Sequence, residues 1–329
     1  MFWPAVIVDG LLHVLAVVTA KESPAETDNS GNPLSLQNWQ GCSSLTATTY
    51  DNTTGTLSIG KNTVTALTDS RDSNIYTVAR LADGNCWMTE NLRIDNSATN
   101  ESTTSEFTIA NTNNPSLPFT NDYEQQVVSN RLSVSSSNWC VDIGVSCINQ
   151  SNINTSNVTN PDASPTFNQD FTNRSHQAFN FAIKSYGTYY NWYSATTGRG
   201  KYETGGNEAV AGDICPAGWH LPYGGSGNNN KGKGNTSGGF YYLNQQMGGN
   251  TSAQDSNNWR SFPNNFVYSG NWNGSSAGSR GGTGLYWSST AYRTTDFAYI
   301  LYFYSGYLYP GTYDSRKNWG YPVRCVQNQ

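Results

Sequence analysis

Charge is scarce in this chain. Asp, Glu, Lys and Arg make up 12% of its 329 residues, about half the usual share. The 18 basic and 23 acidic residues are scattered without long runs, for a net charge of −5, so no cationic face is offered to a phosphate backbone and nucleic acid is excluded as the expected partner. Histidine is nearly missing: His13, His176 and His220 stand far apart in sequence. No two cysteines have C-x-x-C spacing, which argues against a zinc centre. There is no G-x-S-x-G, no recognisable carboxylate pair and no histidine beside a free cysteine, and no turnover is expected. The apolar stretch at 5–20 has 16 residues, short of the roughly 20 that span a bilayer.

What remains is glycine (32), tyrosine (21) and tryptophan (10) in a background of Asn, Ser and Thr. Such a composition suits neither a coiled coil nor a helical bundle. Six cysteines, an even number, point to oxidative pairing outside the cytoplasm, with metal ligation as the competing reading. Residues 1–20, ending in Val18-Thr19-Ala20, read as a cleaved export signal, although the segment lacks Lys or Arg at its start and carries Asp9. The protein is therefore expected to be secreted or displayed at the cell surface.

Residues 21–41, interrupted by Pro24, Gly31 and Pro33, read as a linker, with one domain over 42–329. Ile75 to Leu81 and Cys86 to Met88 are β-prone runs around Asp83-Gly84, a strong hairpin signal because both turn positions tolerate positive φ. Residues 95–175 are short of aliphatic side chains and form an expected loop-rich insertion. One helix is expected there, from the capping spacing of Asn121 and Glu124 ahead of Val127, Val128 and Leu132, with Cys140 and Cys147 closing a local loop. Aromatic density then rises, between long glycine-rich connections at 224–239 and 269–284.

A series of landmarks runs through Asp69-Ser70-Arg71-Asp72, Cys86-Trp87-Met88-Thr89-Glu90-Asn91-Leu92, Tyr186 to Tyr193, Cys215-Pro216-Ala217-Gly218-Trp219-His220-Leu221-Pro222, Tyr286-Trp287-Ser288-Ser289-Thr290 and Arg324-Cys325-Val326. In this order they resemble the Fibrobacter succinogenes major paralogous domain over about residues 65–326. That resemblance implies an α+β, C-type lectin-like fold of the formylglycine-generating-enzyme type, β-rich with few short helices, long loops and disulfides, whose two termini meet on one sheet. It also implies pairing of Cys215 with Cys325 and of Cys42 with Cys86. The tail from Tyr286 resembles the variable region of proteins diversified by a retroelement that rewrites adenines in target codons.

The residues of that tail agree. Along 298–304 the chain alternates, placing Tyr299, Leu301 and Phe303 on one strand face and Ile300, Tyr302 and Tyr304 on the other. A turn follows at Ser305-Gly306, after which Leu308 is expected inward and Tyr307 and Tyr309 outward. The outward set continues through Thr312, Tyr313 and Asp314 and around Lys317 to Trp319, with Thr294, Thr295 and Asp296 at its rim. Nine of the 21 tyrosines fall from residue 286 onward. Tyrosine gives large contact area at low entropic cost, which is why binding loops overuse it. Ile, Tyr, Thr, Asp and Ser are all reached from an AAC codon by changing adenines; Lys317 and Trp319 are not simply so.

The bland readings stand beside this. Tyr302 and Tyr304 could pack beneath the glycine-rich connections as ordinary core. Trp87, Trp192, Trp219 and Trp287 read as core, Arg71, Asp72, Glu90 and Arg324 as structural partners, and His220 as a satisfied buried imidazole. A carbohydrate-binding lectin or adhesin without diversification is the second hypothesis, although Glu-Pro-Asn, Gln-Pro-Asp and Trp-Asn-Asp, which calcium-dependent lectins present, do not occur. No cofactor is expected, though acidic loop residues such as Asp255 could hold a structural calcium. A formylglycine-generating-type enzyme and a structural surface protein with no discrete ligand complete the alternatives. The expected partner is a protein or glycan on another cell or a phage surface.

Overall fold

The computed structural model describes residues 27, 31, 34–71, 74–92, 189–196, 200, 204–228, 231–249, 253–272, 277–279 and 282–327. The export signal, the insertion at 95–175 with its helix, and the Cys140 and Cys147 loop lie outside these residues.

In chain order the elements are β1 (Thr49–Asp51), β2 (Thr56–Ser58), β3 (Val64–Thr68), β4 (Ile75–Arg80), β5 (Cys86–Met88), α1 (Trp192–Ala195), α2 (Phe240–Gln246), α3 (Ala253–Arg260), β6 (Asn271–Trp272), β7 (Ala277–Gly278), β8 (Thr283–Ala291), β9 (Phe297–Tyr304), β10 (Tyr307–Arg316) and β11 (Val326–Gln327). The protein is thus α+β, rich in strand and with short helices. Two sheets matter here: one of four strands, ordered β11-β5-β4-β3, and one of three, ordered β10-β9-β8. All their pairings are antiparallel. Since β11 pairs with β5, the end of the chain joins the sheet built from its early strands.

Local chemistry accounts for these elements. The β-branched run of β4 meets β5 through the Asp83-Gly84 turn, where Gly84 adopts φ +81°. The Asn191 side chain accepts from the Ser194 N–H and caps α1, so even this one-turn helix has a defined start. Two bridges staple the fold, Cys42 to Cys86 and Cys215 to Cys325. The second ties the residue just before β11 to the middle of the chain. Among the described residues, no helix is long and apolar enough to cross a membrane.

The ordered fold begins earlier than a linker over 21–41 allows. Leu36 and Trp39 are buried, Ser35 bridges Thr68, and Trp39 lies nearly parallel to Trp219 with centroids 6.2 Å apart. The Trp219 indole donates to the Leu36 carbonyl at 2.9 Å. The breakers Pro24, Gly31 and Pro33 precede this segment rather than run through it.

Two apolar cores use opposite faces of the three-stranded sheet. The first gathers Leu285, Trp287, Ala298 and Ile300 with Tyr321, Trp192 and the β4 and β5 residues Val78 and Met88. The second gathers Tyr286, Leu301, Phe303 and Leu308 with Phe240, Trp259, Phe266 and Trp87. Trp87, Trp192 and Trp287 are fully buried, in keeping with their expected core role. Arg324 is also buried, donating to the carbonyls of Met88, Asn264 and Asn265 and to Asn91 Oδ1, 2.5 Å away. Its neighbours are structural, as are those of Arg71, which pairs with Asp69 at 2.6 Å, and of Glu90, which accepts from Thr77. His220 is only half satisfied: Nδ1 lies 2.7 Å from the Leu221 carbonyl, while the buried Nε2 has no hydrogen-bond partner.

Candidate binding surface

The hairpin of β9 and β10 turns at Ser305-Gly306, and its register pairs Tyr307 with Tyr304, Leu308 with Phe303 and Tyr309 with Tyr302. Tyr302 and Tyr304 share a face with Ile300, Leu285 and Thr283, by the two-residue period of the strands. The first core covers only part of that face. Toward the turn the cover ends, and the tyrosines that follow reach solvent. Beside the turn the opposite face is closed, with Leu301, Phe303 and Leu308 at 0% exposure.

Five rings meet on the open part. Tyr302 lies 5.6 Å from Tyr309 with planes 4° apart, and Tyr313 lies 5.1 Å from Tyr302 and 5.2 Å from Tyr309. Tyr304 lies 5.7 Å from Tyr302 and Tyr307 4.8 Å from Tyr309. Tyr307 and Tyr313 are the most exposed, at 38% and 45%; the other three are half-buried. A depression of about 540 Å³ lies over them, lined by Tyr302, Tyr304, Tyr309 and Tyr313 with Ser279, Thr283 and Ser305. Desolvation, and after it the neighbouring phenols, holds the Tyr302 and Tyr309 hydroxyls above the ordinary tyrosine value. No acidic or basic side chain stands among the described residues that line the depression.

Tyr313 keeps its place through an irregularity. Between the Tyr309–Tyr302 and Tyr313–Ile300 pairs, residues 310–312 stand opposite Leu301 alone, a bulge two residues larger than regular pairing. Adding two residues preserves the parity of the strand. Gly311 sits there at φ +76°, and its amide oxygen accepts from the Gly225 N–H at 2.7 Å. The 224–239 connection thus supports β10 from the closed side, with Gly224 against Ser288 and Tyr299. It does not lie over Tyr302 and Tyr304. The 269–284 connection contributes Ser279 and Thr283 to the edge of the depression.

Several expected positions fall elsewhere. Ile300 is 1% exposed, because Trp287 and Tyr321 of the first core cover that part of its face. Asp314 pairs with Tyr299 and so points to the side away from Tyr313; partial burial raises its carboxyl pKa, and Arg293 opposes the rise. Thr312 is half-buried within the bulge. Thr294, Thr295 and Asp296 are exposed at the β8–β9 turn, the far end of the ribbon from Ser305, roughly 20 Å from Tyr302 at the rise of an extended strand. They do not rim the tyrosines. Lys317 is buried, its ammonium donating to the Thr204 carbonyl at 2.6 Å and lying 4.5 Å from the Trp192 ring centroid. Trp319 packs against the first core. The hydroxyls of Ser279, Thr283 and Ser305 escaped sequence reasoning; only the pairing of Thr283 with Tyr304 would have signalled one of them.

These features define a disulfide-stapled, β-rich α+β protein carrying a cluster of tyrosines at the open end of a hairpin. Comparison of the chain with models of known protein families, with curated proteins and with solved structures found no match.

Proposed function

We propose that the chain is an exported binding protein with a C-type lectin-like fold, in which the turn-proximal half of the β9–β10 hairpin contacts a macromolecular partner on another cell or a phage surface. The observation that carries this reading is the half-covered sheet face. A soluble chain gains nothing by leaving a cluster of five aromatic rings partly open to solvent, and tyrosine is the side chain that binding surfaces favour. The disulfides fit an oxidising compartment. In this reading the residues that meet the partner are Tyr302, Tyr304, Tyr307, Tyr309 and Tyr313, and the chain performs no turnover.

We further read the ribbon as the diversified segment of a retroelement system. The anchoring of both its ends suits that role: β8 lies between the two cores and Cys325 is bridged, so exposed positions between them can change without loosening the fold. Sequencing the flanking DNA tests this part. A near-copy of the last coding segment beside a reverse transcriptase supports diversification; absence of both removes it and leaves the binding surface in place.

The binding reading is tested with arrayed surface proteins and glycans probed by wild type and by the Tyr302→Ala, Tyr304→Ala double variant, each checked by thermal melt. Loss of one specific partner in the double variant is the expected result. Partner binding that survives in a folded double variant would overturn it.

A further inference from the structure

We infer that the depression over Tyr302, Tyr309 and Tyr313 takes an uncharged saccharide chain rather than a protein surface or a cationic group. The inference rests on the binding role proposed above and narrows its ligand.

The spacing of the rings excludes a cage for a cation. A cation held between two ring faces must fit within about 6 Å of each centroid with a ring on either side, which requires a gap between the rings. Here neighbouring centroids lie 4.8 to 6.4 Å apart, so the rings touch one another. They form a continuous patch with no slot, and no carboxylate stands among the described residues that line the depression.

Among the described residues that line the depression none is charged, which argues against an anionic ligand and against an extended protein interface. Every polar side chain among them is a hydroxyl: Ser279, Thr283, Ser305 and the four tyrosines. A hydroxyl both donates and accepts, which complements a ligand whose own polar groups do both. Saccharide hydroxyls have that character, and the C–H faces of a pyranose match an aromatic surface. A peptide offers separate N–H donors and carbonyl acceptors instead. Protein interfaces bury about 800 Å² on each partner and draw on arginine, whereas this shallow depression of about 540 Å³ has no arginine among its described lining residues.

The test uses the full chain on an array holding neutral gluco-, galacto- and manno-oligosaccharides, sialylated and sulfated glycans, and folded surface proteins, followed by calorimetry with the strongest neutral oligosaccharide. Two variants accompany wild type: Tyr309→Ala, which removes a half-buried ring outside both cores, and Tyr302→Phe, which keeps the ring and removes only its hydroxyl. Binding to neutral oligosaccharides should persist in EDTA, change little with salt, fall about tenfold or more in Tyr309→Ala, and weaken in Tyr302→Phe. Tyrosine-dependent binding to a folded protein and to no saccharide would overturn the inference and leave the proposed binding role standing. Preference for sialylated or sulfated glycans would overturn it in the same way. If no probe binds in a tyrosine-dependent manner, both fall.

Discussion

Ile300 and Tyr302 project from the same face of β9, two residues apart, yet Ile300 is 1% exposed while Tyr302 borders an open depression. Full burial ends between them. Ile300 packs with Trp287 and Tyr321, whereas Tyr302, opposite Leu285, packs against the same core only partly buried and also meets Tyr304, Tyr309 and Tyr313. A single strand thus passes from full burial to a partly open surface within about 7 Å. Ile300→Ala should lower unfolding free energy by about 2–4 kcal/mol, the usual cost of truncating a buried aliphatic side chain. Tyr307→Ala should cost about 0.5 kcal/mol or less, as exposed substitutions do. Urea denaturation of both variants measures the contrast; equal losses would place Tyr307 inside a packed core.

The far end of the ribbon should be silent in binding. Thr294→Ala and Asp296→Ala act roughly 20 Å from Tyr302 along the strand, at the opposite end of the hairpin from the turn at 305–306. Their affinities for any tyrosine-dependent partner should match wild type within about twofold, since distant sites act independently. A tenfold loss in either variant, read by calorimetry, would show that the partner runs the length of the hairpin.

Asp83 sets a dependence on pH. Burial lifts its carboxyl from 3.8 to about 6, against the opposing effect of hydrogen bonds from Asn85 and the Trp87 indole. Between those values the folded protein holds a proton that the unfolded chain has released. Stability from this group therefore declines as pH rises through the window and is greatest below it. A shift of about two units corresponds to about 2–3 kcal/mol. Asp83→Asn should remove this component, so the difference between wild type and variant should change between pH 4 and pH 7 in thermal melts. Parallel stability profiles would refute the assignment.

Gly311 is the backbone requirement of the bulge. At φ +76°, with an added Cβ falling 3.1 Å from the Phe240 Cβ, Gly311→Ala should cost about 1–2 kcal/mol. Because the bulge positions Tyr313, the same variant should also weaken tyrosine-dependent binding, whereas Gly306→Ala, which would meet only the Tyr304 ring at 3.4 Å or beyond, should leave binding nearly unchanged. Melts and calorimetry on the pair separate the two effects.

Much of this architecture is local and therefore readable in the chain. Asp83-Gly84 marks a hairpin because its φ requirement is a property of two residues, and the alternation of β9 follows from the period of a strand. Leu308 inward with Tyr307 and Tyr309 outward follows in the same way, and the structure has that arrangement. The disulfide pairings follow from the family resemblance rather than from any local signal. What escaped depends on partners remote in sequence. Ile300 is covered by Tyr321 from beyond the hairpin, Lys317 is buried against Trp192 and Thr204, and Trp39 enters the first core through Trp219. The two-residue bulge at 310–312 also has no signature in alternation, because it leaves parity unchanged and so hides its own presence.

β10 forms one border of its sheet, and at that border stand Pro310, which has no N–H to offer, and Gly311, whose carbonyl is already engaged by Gly225. An unpaired strand normally invites another chain to extend the ladder. Here the invitation is withdrawn midway along the ribbon, so a surface crowded with exposed phenols can be presented at high density without its bearers joining strand to strand into fibres.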